Sequence, residues 1–355
     1  MKRLLLLVNG SPGSAMGTRA AAFAGYLAGS FAVEQVFRPE GSKLSAAKEM
    51  RAAIAQSKPD LLYVLDMSMA GVAAALIWKV FHGTPVVIDT GDAITALARS
   101  AKLRGTAGIA ATWLLEEAGL RGANHIVVRG SRHQDLLAER GISATWIPDG
   151  FEPELFFPPP AAAPSTTTTI GLVGSLIWNG TLEATYGWDL VEMLAALPDL
   201  PLRGLVIGDG TGLERLRAHA QARGVAERIE FAGRVPYPKL REQLWCMDLC
   251  LSTQTNDLPG QVRTTGKLPL YLACGRFVLA SRVGEAARVL PPEMLVDYDG
   301  ARDLAYPAKL AARFREVWPQ RENWHTHGCE LARSVAPQFA YPYLGERLAA
   351  LLKTL

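Results

Sequence analysis

Cysteine is scarce: Cys246, Cys250, Cys274 and Cys329 are the only four in 355 residues. So few in a long chain exclude a disulfide framework. Cys246 and Cys250 are four apart, but no further cysteine pair or histidine cluster completes a zinc site, and all four are read as buried structural thiols. An excess of one charge is also lacking. Lys+Arg 37 against Asp+Glu 34 leaves +3, with a pI near 8.6. No basic stripe calls for nucleic acid, while the mild positive balance suits an anionic ligand or a membrane surface. The N-terminal candidate for a targeting signal, Leu4–Val8 behind Lys2 and Arg3, is too short for a signal-peptide core or a membrane span. It reads as a buried first strand, and the cytoplasm is the expected location. At 49% hydrophobic and 20% charged, the chain is too charged for a membrane bundle and too apolar for disorder.

Length suggests two domains at roughly 150 residues each. The boundary signal is Pro158–Thr169, PPPAAAPSTTTT, which cannot form a helix interior and holds little to bury. Before it, short apolar runs alternate with helix-like stretches: Leu4–Val8, Leu61–Leu65, Pro85–Ile88, His125–Val128 and Thr145–Ile147. After it come Ile170–Val173, Gly204–Ile207, Arg228–Phe231, Asp248–Ser252, Arg276–Ala280 and Met294–Val296. This is the pattern of βαβ units and parallel sheets buried on both faces. The expectation is two doubly wound, Rossmann-like α/β domains, 1–157 and 170–340, facing each other across a cleft, with ligands beyond the strand carboxyl ends. Residues 341–355 read as a terminal helix with one leucine face, able to pack back on the first domain.

Several loops are candidates for chemistry. The first strand ends in a small-residue loop, Asn9 to Arg19, that matches neither GxGxxG nor the P-loop. Its Asn9, Gly10 and Gly17 allow close backbone approach to a ligand, or mark an ordinary strand-to-helix turn. Asp89-Thr90-Gly91-Asp92 follows a strand. Asp92 there is a candidate general base or sugar-hydroxyl ligand, or else a helix cap. The strongest cluster is Asn256 to Lys267. Arg263, Thr264, Thr265, Gly266 and Lys267 combine two cations with a helix start that Thr264 or Thr265 is expected to cap, an arrangement suited to a diphosphate. Gly174-Ser175, Gly208-Asp209-Gly210 and Arg234 end neighbouring strands, though such turns are common. His125 reads as structural. The stretch 99–105, with Arg99, Lys102 and Arg104 before apolar 106–115, is either a buried helix or a site for an anionic membrane.

Taken together, these positions resemble the GT-B glycosyltransferases, in particular the retaining, nucleotide-sugar-dependent family 4. The match is carried by Ile147-Pro148-Asp149-Gly150 through Phe157-Pro158, by Gly171-Leu172-Val173-Gly174-Ser175 with Gly187-Trp188-Asp189, by Leu205 to Gly210 and Ile229 to Val235, and by Lys267 to Arg276. It runs from about residue 126 to 290. The departures matter. The family's ribose-binding glutamate falls at Leu270 and its earlier acidic residue at Val262. Its donor-phosphate Arg and Lys fall near Ser175 and Tyr186, and its first-domain histidine falls at Gly91. Lys267 matches, with Arg263 as a substitute cation.

What the resemblance implies is a glycosyltransferase moving a hexosyl-type sugar from a nucleoside diphosphate sugar to a glycan or lipid-linked acceptor in cell-surface polysaccharide or glycoconjugate synthesis. Retention and metal independence are expected, with no cofactor. Donor binding falls to Gly174, Ser175, Asp209, Arg234, Arg263, Thr264, Thr265, Gly266 and Lys267, the acceptor side to Asn9, Gly10 and Gly17, and catalysis to Asp92. The alternatives are a degenerate, non-catalytic binding protein or a nucleotide-sugar epimerase on the same fold. Peripheral contact with the inner membrane surface is a further expectation.

Overall fold

A computed structural model describes residues 1–100, 105–160 and 166–355. The centre of the linker (161–165) and residues 101–104 of the basic stretch lie outside them. The chain divides into two compact units. Unit 1 comprises Met1–Glu152, Val262–Thr264 and Phe339–Leu355. Unit 2 comprises Pro153–Gln261 and Thr265–Gln338.

Unit 1 is a parallel six-stranded sheet. Its strands are β1 (Arg3–Val8), β2 (Ala32–Phe37), β3 (Leu61–Leu65), β4 (Val86–Thr90), β5 (His125–Val128) and β6 (Ala144–Trp146), in the order β2-β1-β3-β4-β5-β6. Successive side chains alternate between faces, so Leu5, Leu7, Val64 and Ile88 enter one core while Leu4, Leu6, Tyr63 and Val87 enter the other. Two buried faces explain the continuous apolar runs. Helix Tyr341–Lys353 closes the second face against helix Ala15–Leu27, with the Tyr341 ring edge-on to Phe23 at 5.6 Å.

Unit 2 repeats the architecture with β7 (Thr168–Val173), β8 (Leu202–Ile207), β9 (Ile229–Gly233), β10 (Leu249–Ser252), β11 (Phe277–Ser281) and β12 (Leu295–Val296), in the order β12-β11-β10-β7-β8-β9, all parallel. Both units are therefore doubly wound α/β sheets.

Three local expectations are corrected. β7 starts at Thr168 rather than Ile170, because β-branched threonines extend the strand backwards to pair with Leu202. The helix after residue 266 is Lys267–Ala273 and has Gly266 at its cap position, with no side-chain cap bond. Neither Thr264 nor Thr265 caps it. Among the cysteines only Cys250 and Cys274 are buried; Cys246 is exposed and Cys329 half-buried. Burial pushes the Cys274 thiol up to about 12, so it is inert as a nucleophile near neutrality.

Candidate functional site

In unit 1 the strand carboxyl ends surround a buried ionic cluster. Asp89, near the end of β4, is fully buried. Its Oδ2 accepts from Arg19 Nε (2.9 Å), Arg19 Nη2 (2.8 Å) and the Tyr63 hydroxyl (2.8 Å), and its Oδ1 accepts from Arg129 Nε (3.0 Å). Arg19 also donates to the carbonyls of Ile147 and Pro148 at 2.8 and 2.6 Å. Burial alone pushes the Asp89 carboxyl up, but Arg19 and Arg129 outweigh it and hold it below the usual carboxylate range. Asp66, one residue past β3, behaves oppositely. Burial raises it despite Arg129, whose Nη2 lies 3.4 Å from Asp66 Oδ1. Its backbone is left-handed, at φ 72°. Such strain in a non-glycine residue is kept only where its surroundings enforce it.

The sequence-predicted residues of unit 1 separate by role. Asn9 sits between Asp66, to which its amide donates at 3.3 Å, and Arg38, which donates to it at 3.3 Å. Gly10 and Gly17 are required by their own loop. A Cβ on Gly17 would stand 2.3 Å from the carbonyls of Ser11 and Pro12, and one on Gly10 would meet Ser14 Oγ at 2.4 Å. Asp92 is paired with Arg263, whose Nε donates to Oδ1 at 2.8 Å and whose Nη2 stands 2.7 Å from the same oxygen. Among the described residues Asp92 Oδ2 has no donor. Thr264 donates its hydroxyl to the Arg129 carbonyl. Arg263 and Thr264 thus belong to unit 1, while Lys267 belongs to unit 2. At Gly91, where the family's first-domain histidine would fall, a Cβ would stand 2.8 Å from Arg129 Nη1. The Arg129 side chain occupies that space.

Unit 1 also holds a cavity of about 310 Å³. Asn9, Arg38 and Lys43 line one side, and Met67, Ile94, Leu97 and Leu115 are among the apolar lining.

In unit 2 the turns after β7 and β8 are locked together. Gly208 (φ 139°) passes so close to Gly174 that a Cβ would lie 1.8 Å from the Gly174 carbonyl oxygen. Leu176 N donates to Asp209 O at 3.0 Å, and Gly212 N to Leu176 O at 2.7 Å. The Asp209 carboxylate accepts from Gly210 N at 2.7 Å and so shapes the turn. Gly174 faces the Tyr186 ring, and Lys267 Nζ stands 3.6 Å from that ring's centre. Gln254 Nε2 donates to the Tyr186 hydroxyl at 3.3 Å. Lys267 is only 7% exposed, and among the described residues it pairs with no carboxylate. A buried cation held over an aromatic face without a counter-anion is a ready partner for an anionic ligand. Ser175, Asp209 and Arg234 are exposed, and Thr265 and Gly266 are half-buried, ahead of Lys267. Leu270 is buried, so no carboxylate takes the ribose role at that position.

Sequence reasoning missed Arg19, Arg38, Lys43, Asp66, Arg129 and Tyr186. Asp66 carries the same signal as Asp89, an aspartate closing an apolar strand. Arg19 is the only charged residue in an otherwise small and apolar helix.

Residues 167–310 match the family model described as glycosyl transferases group 1. A sequence search of the curated proteins finds no match. Among solved structures, sucrose-phosphate synthase of Thermosynechococcus elongatus aligns at TM-score 0.79 and 16% identity, over 100% of this chain and 99% of that one. HepE of Anabaena, solved with UDP-glucose, aligns at TM-score 0.75 and 16% identity over the whole of both chains. WaaG, a glycosyltransferase involved in lipopolysaccharide biosynthesis, aligns at TM-score 0.72 and 14% identity, over 98% of this chain and 99% of that one. At such identities the structural likeness establishes the fold. The chain has the GT-B fold and resembles the glycosyl transferases of group 1, whose family model its second unit matches.

Proposed function

We propose that the chain transfers a hexosyl-type sugar, with retention, from a nucleoside diphosphate sugar to a glycan or lipid-linked acceptor in cell-surface polysaccharide or glycoconjugate synthesis. The observation that carries the donor side is Lys267: buried, seated on Tyr186 beside Gly174, and without a carboxylate partner among the described residues. Gly174 follows β7 and Gln254 lies just past β10, the neighbouring strands between which the order of the second sheet reverses. Such a reversal is the usual ligand position of an open parallel sheet. HepE, with its UDP-glucose, makes UDP-sugars the first donors to try.

In this reading the bond from the anomeric carbon to the diphosphate breaks and the acceptor oxygen takes its place. Lys267, with Arg234 and the backbone of residues 174–175 and 265–266, stabilises the charge that collects on the departing diphosphate. Asp92 receives the acceptor's proton on Oδ2, while Arg263 fixes the carboxylate through Oδ1. No metal is required, and donor binding persists under EDTA.

Among the described residues no helix is long and apolar enough to cross a membrane. We place the protein in the cytoplasm, with unit 1 touching the inner membrane surface through exposed Trp113 and Leu114 of helix Thr106–Gly122. Co-sedimentation with anionic vesicles tests this, and indifference to lipid charge contradicts it.

The reaction is tested by incubating the protein with UDP-, GDP- and ADP-sugars and analysing the products. Free nucleoside diphosphate released together with the sugar joined to an added glycan or lipid-linked acceptor supports transfer, whereas free sugar and nucleoside diphosphate without acceptor report hydrolysis by water. A changed sugar still joined to its nucleotide identifies an epimerase, and donor bound but unaltered identifies a binding protein.

A further inference from the structure

The cavity of unit 1 lies where the strand order of its sheet reverses. The chain leaves β1 for β2 at the edge, then returns to the other side of β1 to lay down β3. Asn9 follows β1, and Met67 and Ser68 follow β3; all three line the cavity. An open parallel sheet binds ligands at such a point.

The lining is divided by chemistry. Arg38 comes directly after β2, and Lys43 begins the 15-residue helix Lys43–Ser57. Among the described residues neither pairs with a carboxylate, and Arg38 is steadied only by its 3.3 Å bond to Asn9 Oδ1. The 14-residue helix Met69–His82 also starts on the cavity, through Ser68, Met69 and Ala70. First-turn N–H groups and the helix dipole add to the attraction for an anion. Among the described residues no acidic side chain lines the space. The other lining is apolar: Met67, Ile94, Leu97, Ala98 and Leu115. Next in the chain to lining residues stand Leu44, Trp113 and Leu114, at 68%, 48% and 61% exposure.

We propose that this cavity seats the acceptor, and that the acceptor carries a phosphate joined to an apolar group. Arg38, Lys43 and Asn9 hold the phosphate, and the Met67–Ile94–Leu97–Leu115 side takes the apolar part. The assignment of an acceptor rests on the sugar-transfer reading. The binding chemistry rests on the cavity alone. A volume of about 310 Å³ accommodates a phosphate and a short stretch of chain or one ring.

The test is calorimetric titration of the full chain with hexyl phosphate, glucose 6-phosphate and hexyl glucoside. Hexyl phosphate is expected to bind at least about tenfold more tightly than either of the others, and to weaken about tenfold in Lys43→Gln and in Arg38→Gln, as loss of a charge-assisted hydrogen bond predicts. Lys43 is exposed, so its variant folds even if Arg38→Gln does not. Equal binding of hexyl glucoside overturns the phosphate half. Equal binding of glucose 6-phosphate overturns the apolar half. No binding, or binding indifferent to both substitutions, overturns the whole. Phosphatidylcholine vesicles with and without phosphatidic acid distinguish the sources. Uptake that needs the phosphatidic acid and is lost in Lys43→Gln assigns a membrane lipid, whereas hexyl phosphate binding without uptake assigns a soluble acceptor. UDP titrated in parallel reports the donor side separately. UDP binding without hexyl phosphate binding removes this proposal and leaves sugar transfer standing, and the converse removes sugar transfer while keeping the cavity.

Discussion

Arg263 and Asp92, 171 residues apart in sequence, form an ion pair on a single carboxylate oxygen, to which Nε donates at 2.8 Å and near which Nη2 stands at 2.7 Å. One was expected to hold donor phosphate and the other to act on the acceptor. Their pairing engages Arg263 with Asp92; in the proposed reaction Arg263 therefore orients Asp92, and the donor phosphate is assigned to Lys267 and Arg234.

Asp92→Asn separates chemistry from structure. The pair is partly exposed, at 33% and 24%, and such pairs contribute about 1 kcal/mol or less to stability. The variant is therefore expected to fold with a little-changed thermal midpoint. Its kcat should fall on the order of a hundredfold or more, with the KM for donor nearly constant. Steady-state kinetics beside a thermal melt checks both halves. A large loss of stability with unchanged kcat would show Asp92 to be structural.

The buried cluster predicts the reverse behaviour. Asp89→Asn removes the shortest ion pair of both Arg19 and Arg129 in a dry interior, leaving them Asp149 at 3.4 and 4.0 Å and, for Arg129, Asp66 at 3.4 Å, a loss of about 3–5 kcal/mol. The sign with pH follows from the lowered carboxyl. Its stabilisation is complete above the unfolded aspartate range near about 4 and disappears as pH falls through the folded value below it. Thermal melts of parent and variant should converge as the solution is acidified. Asp66 has a raised carboxyl, so its charge costs stability above that range. Asp66→Asn should melt higher than the parent at neutral pH, the gap closing in acid. Asparagine also tolerates the left-handed backbone at this position.

Two glycines with positive φ should differ sharply on substitution. At Gly208 an alanine Cβ meets the Gly174 carbonyl at 1.8 Å, so Gly208→Ala must push apart the turns after β7 and β8. Gly233, at φ 66°, has nothing within 4 Å of its Cβ position, and its alanine variant bears only the left-handed backbone cost of roughly 1–2 kcal/mol. Denaturant melts and UDP titration of both variants check this. Gly208→Ala is expected to lose donor binding and Gly233→Ala to keep it.

Much of this fold is legible in the sequence because parallel strands buried on both faces read as unbroken apolar runs such as Leu4–Val8 and Leu61–Leu65. β2 is not. Paired only with β1 at the edge and partly solvated, its AVEQVF mixes polar with apolar residues, and Arg38 just beyond it was missed for the same reason. In unit 2 the glycine turns and Lys267 were legible, since backbone crowding and a basic helix start leave local marks. Tyr186 was not, because only folding brings it beneath Lys267. The Arg19–Asp89–Arg129 cluster is spread over 110 residues and depends on pairings that no local pattern encodes. It also accounts for the glycine at position 91. Gly91→His would collide with Arg129 at a Cβ distance of 2.8 Å, so restoring the family's histidine should destabilise unit 1.

The most direct test of the account is calorimetric titration of the parent and of Lys267→Ala with UDP, GDP, ADP and their sugars. Selective binding of one nucleotide and its sugar, weakened about tenfold or more in the variant by loss of a charge-assisted contact, is the predicted result. Silence across the panel, or equal affinity in parent and Lys267→Ala, would contradict it.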